Sequence, residues 1–288
     1  MAQYEVIKFN DYDTVVKNAK VKTNGISVQL TIENPIQSIS IRGLNDDKYK
    51  FQKIIFHWPS QHAFSATYSP LEMQIVHYNT RYEEEDEAIT EKDGLAILAF
   101  LFRISNEENL ILRPITDALD YIMKENTSKT IRNFLLPYDR DIASTDYYRY
   151  WGSLTSSPCY QSAPWTIFKE RLTISQSQLE KFHRLKKKTG ASSVNNSQLV
   201  ELTNGKIVQF YSIKPEDDDD TSEEDHKKKK PVKIKPIFIP KFKVKRSKGG
   251  RSSRRGRGRN NGVSTETPKV TLLLLIVVWG GAYDYLVI

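Results

Sequence analysis

The chain has 288 residues, of which 39% are apolar and 27% charged, which excludes both a membrane-dominated chain and a wholly disordered one. Lys and Arg number 43 against 35 Asp and Glu, a net charge of +8, but the excess is local: residues 227–259 hold 16 basic side chains and no acidic one, whereas residues 1–215 carry 26 basic against 25 acidic. The single cysteine, Cys159, excludes an intramolecular disulfide and any cysteine-rich zinc module.

In chain order, Val28-Gln29-Leu30-Thr31-Ile32 alternates with period two, and Gln37 to Ile41 does so more briefly, the pattern of half-buried strands. The runs Phe51 to Trp58, Leu71 to Tyr78 and Leu95 to Ile104 are denser in apolar residues and suit strands covered on both faces. A helix is predicted over Pro114 to Met123, where Ile115, Leu119 and Ile122 recur at helical spacing. A second is predicted over Ser175 to Leu185, with Leu179, Phe182 and Leu185 on one side and Ser175-x-x-Gln178 as a capping box. Many strands and few helices predict one mostly β domain over residues 1–213, and no repeat of solenoid or propeller period is present.

Composition changes after Pro215. Residues 216–225 contain eight acidic side chains, and the basic run Lys227 to Arg259 follows. Dense like charge cannot bury a core, so residues 214–269 are expected to be a disordered acidic then basic linker. Residues 270–288 form a hydrophobic C-terminal segment. Its apolar run from Thr271 to Tyr283 is shorter than the ~20 residues of a membrane-spanning helix. Small polar residues at Asn260-Asn261-Gly262, a polar spacer and an apolar end resemble a GPI-attachment signal. A membrane anchor and a fragment of a misassembled gene are the competing readings.

Three segments of the body carry a resemblance. They are Tyr49-Lys50-Phe51-Gln52-Lys53-Ile54-Ile55-Phe56-His57-Trp58, then Leu71-Glu72-Met73-Gln74-Ile75-Val76-His77-Tyr78-Asn79, then Tyr150-Trp151-Gly152-Ser153-Leu154-Thr155-Ser156-Ser157-Pro158-Cys159 with the following Trp165-Thr166-Ile167-Phe168-Lys169-Glu170. In this order they resemble the motifs of the α-carbonic anhydrases over residues 1–213. The resemblance implies a large, twisted, mainly antiparallel central sheet with short peripheral helices, and zinc as the family's cofactor.

The chemistry departs from the family. Catalytic zinc needs three protein ligands and an open position for water, and three histidines in carbonic anhydrase are the standard example. The resemblance places those ligands at Ile55, His57 and Gln74, so one imidazole remains of three. Without a triply held metal, bound water is not brought to a pKa near ~7 and no hydroxide nucleophile forms. The proton-shuttle position after Asn24-Gly25 is Ile26, which carries no proton. The glutamate of the family's Ser-Glu-His triplet is Gln61, still able to accept a hydrogen bond from Thr155. Glu72, Leu154, Thr155, Val76 and Trp165 match the family pocket. These positions describe a vestigial pocket that keeps its shape and has lost its metal chemistry. No competent metal site and no cofactor are expected.

The simpler reading of each residue accompanies this one. His57, beside Trp58, is expected to be a hydrogen-bonded core histidine. His77 lies three residues past Gln74, on the opposite strand face, and the resemblance implies that His62 belongs to a structural hydrogen-bond network. Thr155 and Ser156 read as turn residues, and Glu72 as a buried partner for Gln74.

The resulting expectation is a catalytically inactive carbonic anhydrase-related protein, a pseudoenzyme acting as a binding or adhesion module. The alternatives are an active zinc-dependent enzyme of CO₂ hydration with non-standard ligands, and a nucleic-acid-associated protein working through its basic tail. The tail, Lys227 to Arg259, suits a glycosaminoglycan or another anionic surface outside the cell, and nucleic acid inside it. Secreted relatives pair a cysteine at the position of Cys159 with one near their start. An extracellular or cell-surface protein whose signal peptide is missing from this chain is therefore one expectation, and a cytoplasmic or nuclear protein with a buried thiol is the other.

Overall fold

The computed structural model describes residues 7–24, 27–33, 39–44, 47–64, 67–83, 85–124, 126–138, 141, 145–154, 163–188 and 209–211, with short pieces at 277–279, 282–284 and 286–287. Strands dominate it. They are β1 (Lys8–Asn10), β2 (Val16–Thr23), β3 (Val28–Ile32), β4 (Ser40–Leu44), β5 (Asp47–His57), β6 (Ala63–Phe64), β7 (Thr67–Tyr68), β8 (Glu72–Asn79), β9 (Leu95–Ser105), β10 (Ser128–Phe134), β11 (Tyr147–Gly152), β12 (Ala163–Phe168), β13 (Leu172–Ser175), β14 (Gln209–Tyr211), β15 (Val277–Trp279), β16 (Ala282–Asp284) and β17 (Leu286–Val287). The helices are α1 (Glu85–Ala88), α2 (Arg113–Leu119) and α3 (Gln176–Lys188).

One 12-stranded sheet organises the chain, in the order β10-β2-β3-β5-β8-β9-β12-β11-β14. β4 extends β5 and carries β1, and β13 extends β9. The ladders are antiparallel except where β12 and β13 run parallel to β9. The mainly antiparallel sheet expected from the sequence is therefore present.

Alternation along the strands explains the layers. Successive side chains of a strand point to opposite faces, and residues opposite each other in a ladder share a face. Ala19 and Val21 of β2, Leu30 of β3, Ile54 and Phe56 of β5, Met73 and Ile75 of β8, and Leu98 and Phe100 of β9 are all buried in one core. It runs across the whole width of the sheet and continues under the helices. The opposite face carries a smaller core confined to the later strands: Val76, Leu95, Ile97, Ala99, Leu101, Tyr148, Tyr150, Trp165 and Ile167.

The helices close the larger core. The capping box forms as the sequence predicts: the Ser175 hydroxyl accepts from the Gln178 N–H at 3.2 Å, and the Gln178 side chain accepts from the Ser175 N–H at 3.3 Å. Leu179, Phe182 and Leu185 are buried, with Phe182 packed on Phe56 and Trp58. The first predicted helix ends earlier than its periodicity suggested, at Leu119 rather than Met123. Tyr121 and Ile122 then close turns onto Ala118 and Leu119 with N–H bonds three residues back, in place of the four-residue helical spacing.

Among the described residues no helix is long and apolar enough to cross a membrane. Described pieces of the apolar C-terminal segment are strands: β15 pairs with β16, and β17 pairs with β6, Leu286 opposite Phe64. The acidic and basic runs of residues 214–269, with Cys159, lie outside the described residues.

Candidate functional site

The site is built on two neighbouring antiparallel strands, β5 and β8. Ile55 lies opposite Gln74, and His57 opposite Glu72. Since facing residues share a face and His57 is two beyond Ile55, all four point to the side away from the larger core. The three positions that the sequence assigns to ligands are therefore brought together. Ile55 offers only hydrocarbon there and packs against the smaller core.

Glu72, fully buried, is the centre of the polar chemistry. One carboxylate oxygen accepts from the backbone N–H groups of Gln61 at 2.8 Å and His62 at 2.9 Å. The other accepts from His62 Nδ1 at 2.7 Å and from Gln74 Nε2 at 2.8 Å. Burial pushes this carboxyl up, but the His62 imidazole and the hydrogen bonds from His62 and Gln74 outweigh it and hold it down at about 2. The Gln74 amide nitrogen donates a second time, to Gln61 Oε1 at 2.8 Å, so both of its hydrogens are engaged. The buried partnership of Glu72 with Gln74 expected from the sequence is thus present, and Gln61 has joined it.

His62 completes the network. Its Nε2 lies 2.8 Å from the Tyr150 hydroxyl, and its ring packs edge-on against Trp165. Burial, then the nearby Glu72 charge, raises the Tyr150 phenol well above its ordinary range, so it stays neutral. The role of Tyr150 was not singled out from the sequence. The available signal was its place on β11, alternating with Tyr148 on the face that meets Trp165.

His57 departs from expectation. It is 8% exposed, and neither ring nitrogen has a hydrogen-bond partner among the described residues. The reason is the register: His57 faces Glu72, whose oxygens are already filled by Gln61, His62 and Gln74. Burial lowers the imidazole to about 4, against the raising effects of the Glu72 charge and of the neighbouring Gln74 side chain, so it is neutral near pH 7. His77 lies on the other face, as the alternation requires, bonded to the Tyr12 hydroxyl and, at 3.3 Å, to the Ala96 carbonyl.

The apolar wall consists of Val76, Leu154 and Trp165, all buried in the smaller core. The Trp165 indole N–H donates to the Ser153 carbonyl at 3.2 Å. Gly152 makes this packing possible: a Cβ there would lie 2.6 Å from the Tyr150 ring and 2.8 Å from the Trp165 ring. Thr155, the expected partner of Gln61, and Ile26 lie outside the described residues. Behind the wall, on the other side of β11, Arg149 is buried. Its Nε donates to Thr166 Oγ1 at 3.1 Å, and its guanidinium stacks on Tyr147 and Tyr211. Nothing in the sequence pattern marked it.

The eukaryotic-type carbonic anhydrase profile matches residues 1–212. The chain belongs to the carbonic anhydrase family. It is 32% identical over 204 residues to the human protein named carbonic anhydrase-related protein, covering 66% of this chain and 67% of that one. It is 31% identical over 186 residues to human receptor-type tyrosine-protein phosphatase zeta, covering 61% of this chain but only 8% of that much longer protein. It is 31% identical over 172 residues to rabbit (Oryctolagus cuniculus) carbonic anhydrase 1, covering 56% of this chain and 71% of that one. The large, mainly antiparallel sheet is consistent with that family's fold.

The family's zinc does not fit the donors present. Ile55 has no donor atom, Gln74 offers only an amide oxygen, a poorer zinc ligand than imidazole, and one imidazole is left. A zinc centre needs three protein ligands. Among the described residues no group of three or more His, Cys, Asp or Glu side chains is placed to hold a metal ion.

Proposed function

We propose that this chain is a non-catalytic carbonic anhydrase-related domain that works by binding. One observation carries the reading: Gln74, at a ligand position, is locked by its amide hydrogens to Gln61 and Glu72. In a working site an imidazole would aim at a metal from there, and Glu72 would orient it. Here the same carboxylate accepts from an amide, and Gln74 is held between Glu72 and Gln61. Ile55 supports the same reading from the facing strand. The name of the carbonic anhydrase-related relative agrees with it. Likeness to a receptor-type protein supports an extracellular or cell-surface setting, with the basic tail Lys227–Arg259 available for anionic ligands.

The test is elemental analysis and CO₂ hydration by the purified full chain. Substoichiometric zinc and no hydration above background are expected. Stoichiometric zinc together with hydration would replace this reading with an active enzyme using unusual ligands. The double variant Ile55→His, Gln74→His places imidazoles opposite each other on β5 and β8, beside His57, and is expected to gain zinc binding by calorimetric titration.

A further inference from the structure

On the face that carries the site, the sheet is dry only from β8 onward. Toward the other edge the same face is polar. The ladder registers place its residues in rows. Ser128, Lys22, Gln29, Ile55 and Gln74 form one row, and Thr130, Lys20, Thr31, Lys53 and Val76 the next. Arg132 opposite Asn18 begins a third. Lys20, Lys22, Arg132, Ser128 and Thr130 are exposed, while Gln29, Thr31 and Lys53 are half-buried. Val21 and Ala19, between the lysines, are buried in the larger core on the other side. Four cations thus stand on a shared face. Among the described residues of these polar rows and their ends, the carboxylate is that of Glu33, whose N–H bonds the Asn18 carbonyl just past β3; Glu72, farther along the face, is buried and bonded within the site.

We propose that this strip, from the β10 edge to the Ile55–Gln74 pair, binds a sulfated polysaccharide. This rests on the reading of the domain as a binding module and names the partner for its body, separate from the basic tail. Strand spacing of ~4.8 Å and a rise of ~6.8 Å per two residues set the cations roughly 7–10 Å apart in two directions. That is a shallow grid suited to charges spread along a flexible chain. Threonine, serine and glutamine side chains between the cations supply hydrogen-bond donors for sulfate and hydroxyl oxygens. The exposed rows contain no aromatic side chain, so the base-stacking platform of single-stranded nucleic-acid binders is missing. The uniform polarity of the face, ending at Ile55, leaves no apolar anchor of the kind that protein interfaces use.

The test uses the full chain with a heparin-derived octasaccharide at physiological salt. Hydrogen exchange is expected to slow in the β2 and β10 peptides as well as in the tail. Lys20→Gln, Lys22→Gln and Arg132→Gln are expected to weaken binding about threefold each and ~30-fold together. Their circular dichroism and melting should match the parent, because the side chains are exposed. Glu33→Gln should move affinity the opposite way, tightening it. Parent-like affinity in the triple variant, or protection confined to the tail, would overturn the proposal. So would equal binding of an unsulfated polysaccharide, or tighter binding of duplex RNA. None of these outcomes bears on zinc content or hydration, so failure here leaves the non-catalytic reading standing.

Discussion

The two faces of the central sheet are built by different rules. One is mostly apolar from β2 to β9, and its row Val21, Leu30, Ile54, Ile75 and Leu98 is fully buried. The other changes character halfway, from Lys20 and Thr31 to Val76, Ile97 and Trp165 along one row of the same ladders. The residues at the carbonic anhydrase ligand positions sit at that change. The continuous face supplies stability, since each buried side chain loses water on folding and every neighbour reinforces it. The divided face has an exposed half free to vary, and a buried half where a polar group survives only if fully bonded. Glu72, His62, Gln61 and Gln74 meet that condition, and among the described residues His57 does not.

The largest effect that would break this comparison is Phe100→Ala, in the middle of the continuous face and stacked on Phe168. A cost of about 3–5 kcal/mol is expected in urea unfolding, and a cost below ~1 would mean the face is not the main core. On the divided face, Glu72→Ala strands His62, Gln74 and two backbone N–H groups at once, and a loss of roughly 3–5 kcal/mol is expected by the same measurement. If the polar network were dispensable, the variant would unfold like the parent.

The pH dependence sharpens the contrast within the divided face. His57 is lowered from 6.5 to about 4 by burial, so the unfolded chain takes up its proton more readily than the folded one. Stability is therefore level above pH 6.5 and falls as pH drops toward 4, by roughly 3 kcal/mol from this residue. His77, lowered to about 3, adds a loss of the same sign from the other face. Glu72, held at about 2, contributes stability present above its ordinary value of 4.5 and lost as pH falls through 2. Unfolding at pH 7 and pH 4.5 should show the His57→Leu variant losing less between the two than the parent. Equal losses would mean that His57 is hydrated or bonded.

Smaller effects follow. Ser175→Ala removes the cap that starts α3 and should cost ~1 kcal/mol in thermal unfolding. Lys20→Ala, on the open half, should change stability by no more than about 0.5 kcal/mol. A larger loss would show that the strip is structural.

Much of the site was legible before the fold. Alternation on two strands placed Ile55 and His57 together and put His77 on the far side, because strand geometry has a period of two whatever the surroundings. Motif order supplied the pairing of those strands. The hydrogen-bond economy of the site was only half legible. That Glu72 would meet Gln74 follows from their i, i+2 spacing, but Gln61 and Tyr150 reach the same cluster from 11 residues before Glu72 and 78 residues after it. The unbonded His57 and the stacked Arg149 were not visible at all, since whether a polar atom is satisfied depends on which partners the register has already used.

The sequence by itself determined the strand alternation, the order of the motifs and the identities of Ile55, His57 and Gln74, because these are properties of residue identity and local period, and the resemblance carried by those motifs implied the mainly antiparallel sheet. The tertiary structure alone decided how the remaining polar groups were shared out. It bonded Gln74 to Gln61 and Glu72, left His57 buried with no hydrogen-bond partner among the described residues, and gathered Lys20, Lys22 and Arg132 onto one open face. Charge and hydrogen-bonding capacity are written in the chain, but their satisfaction is a property of neighbours, and neighbours are set by strand pairing across long sequence separations.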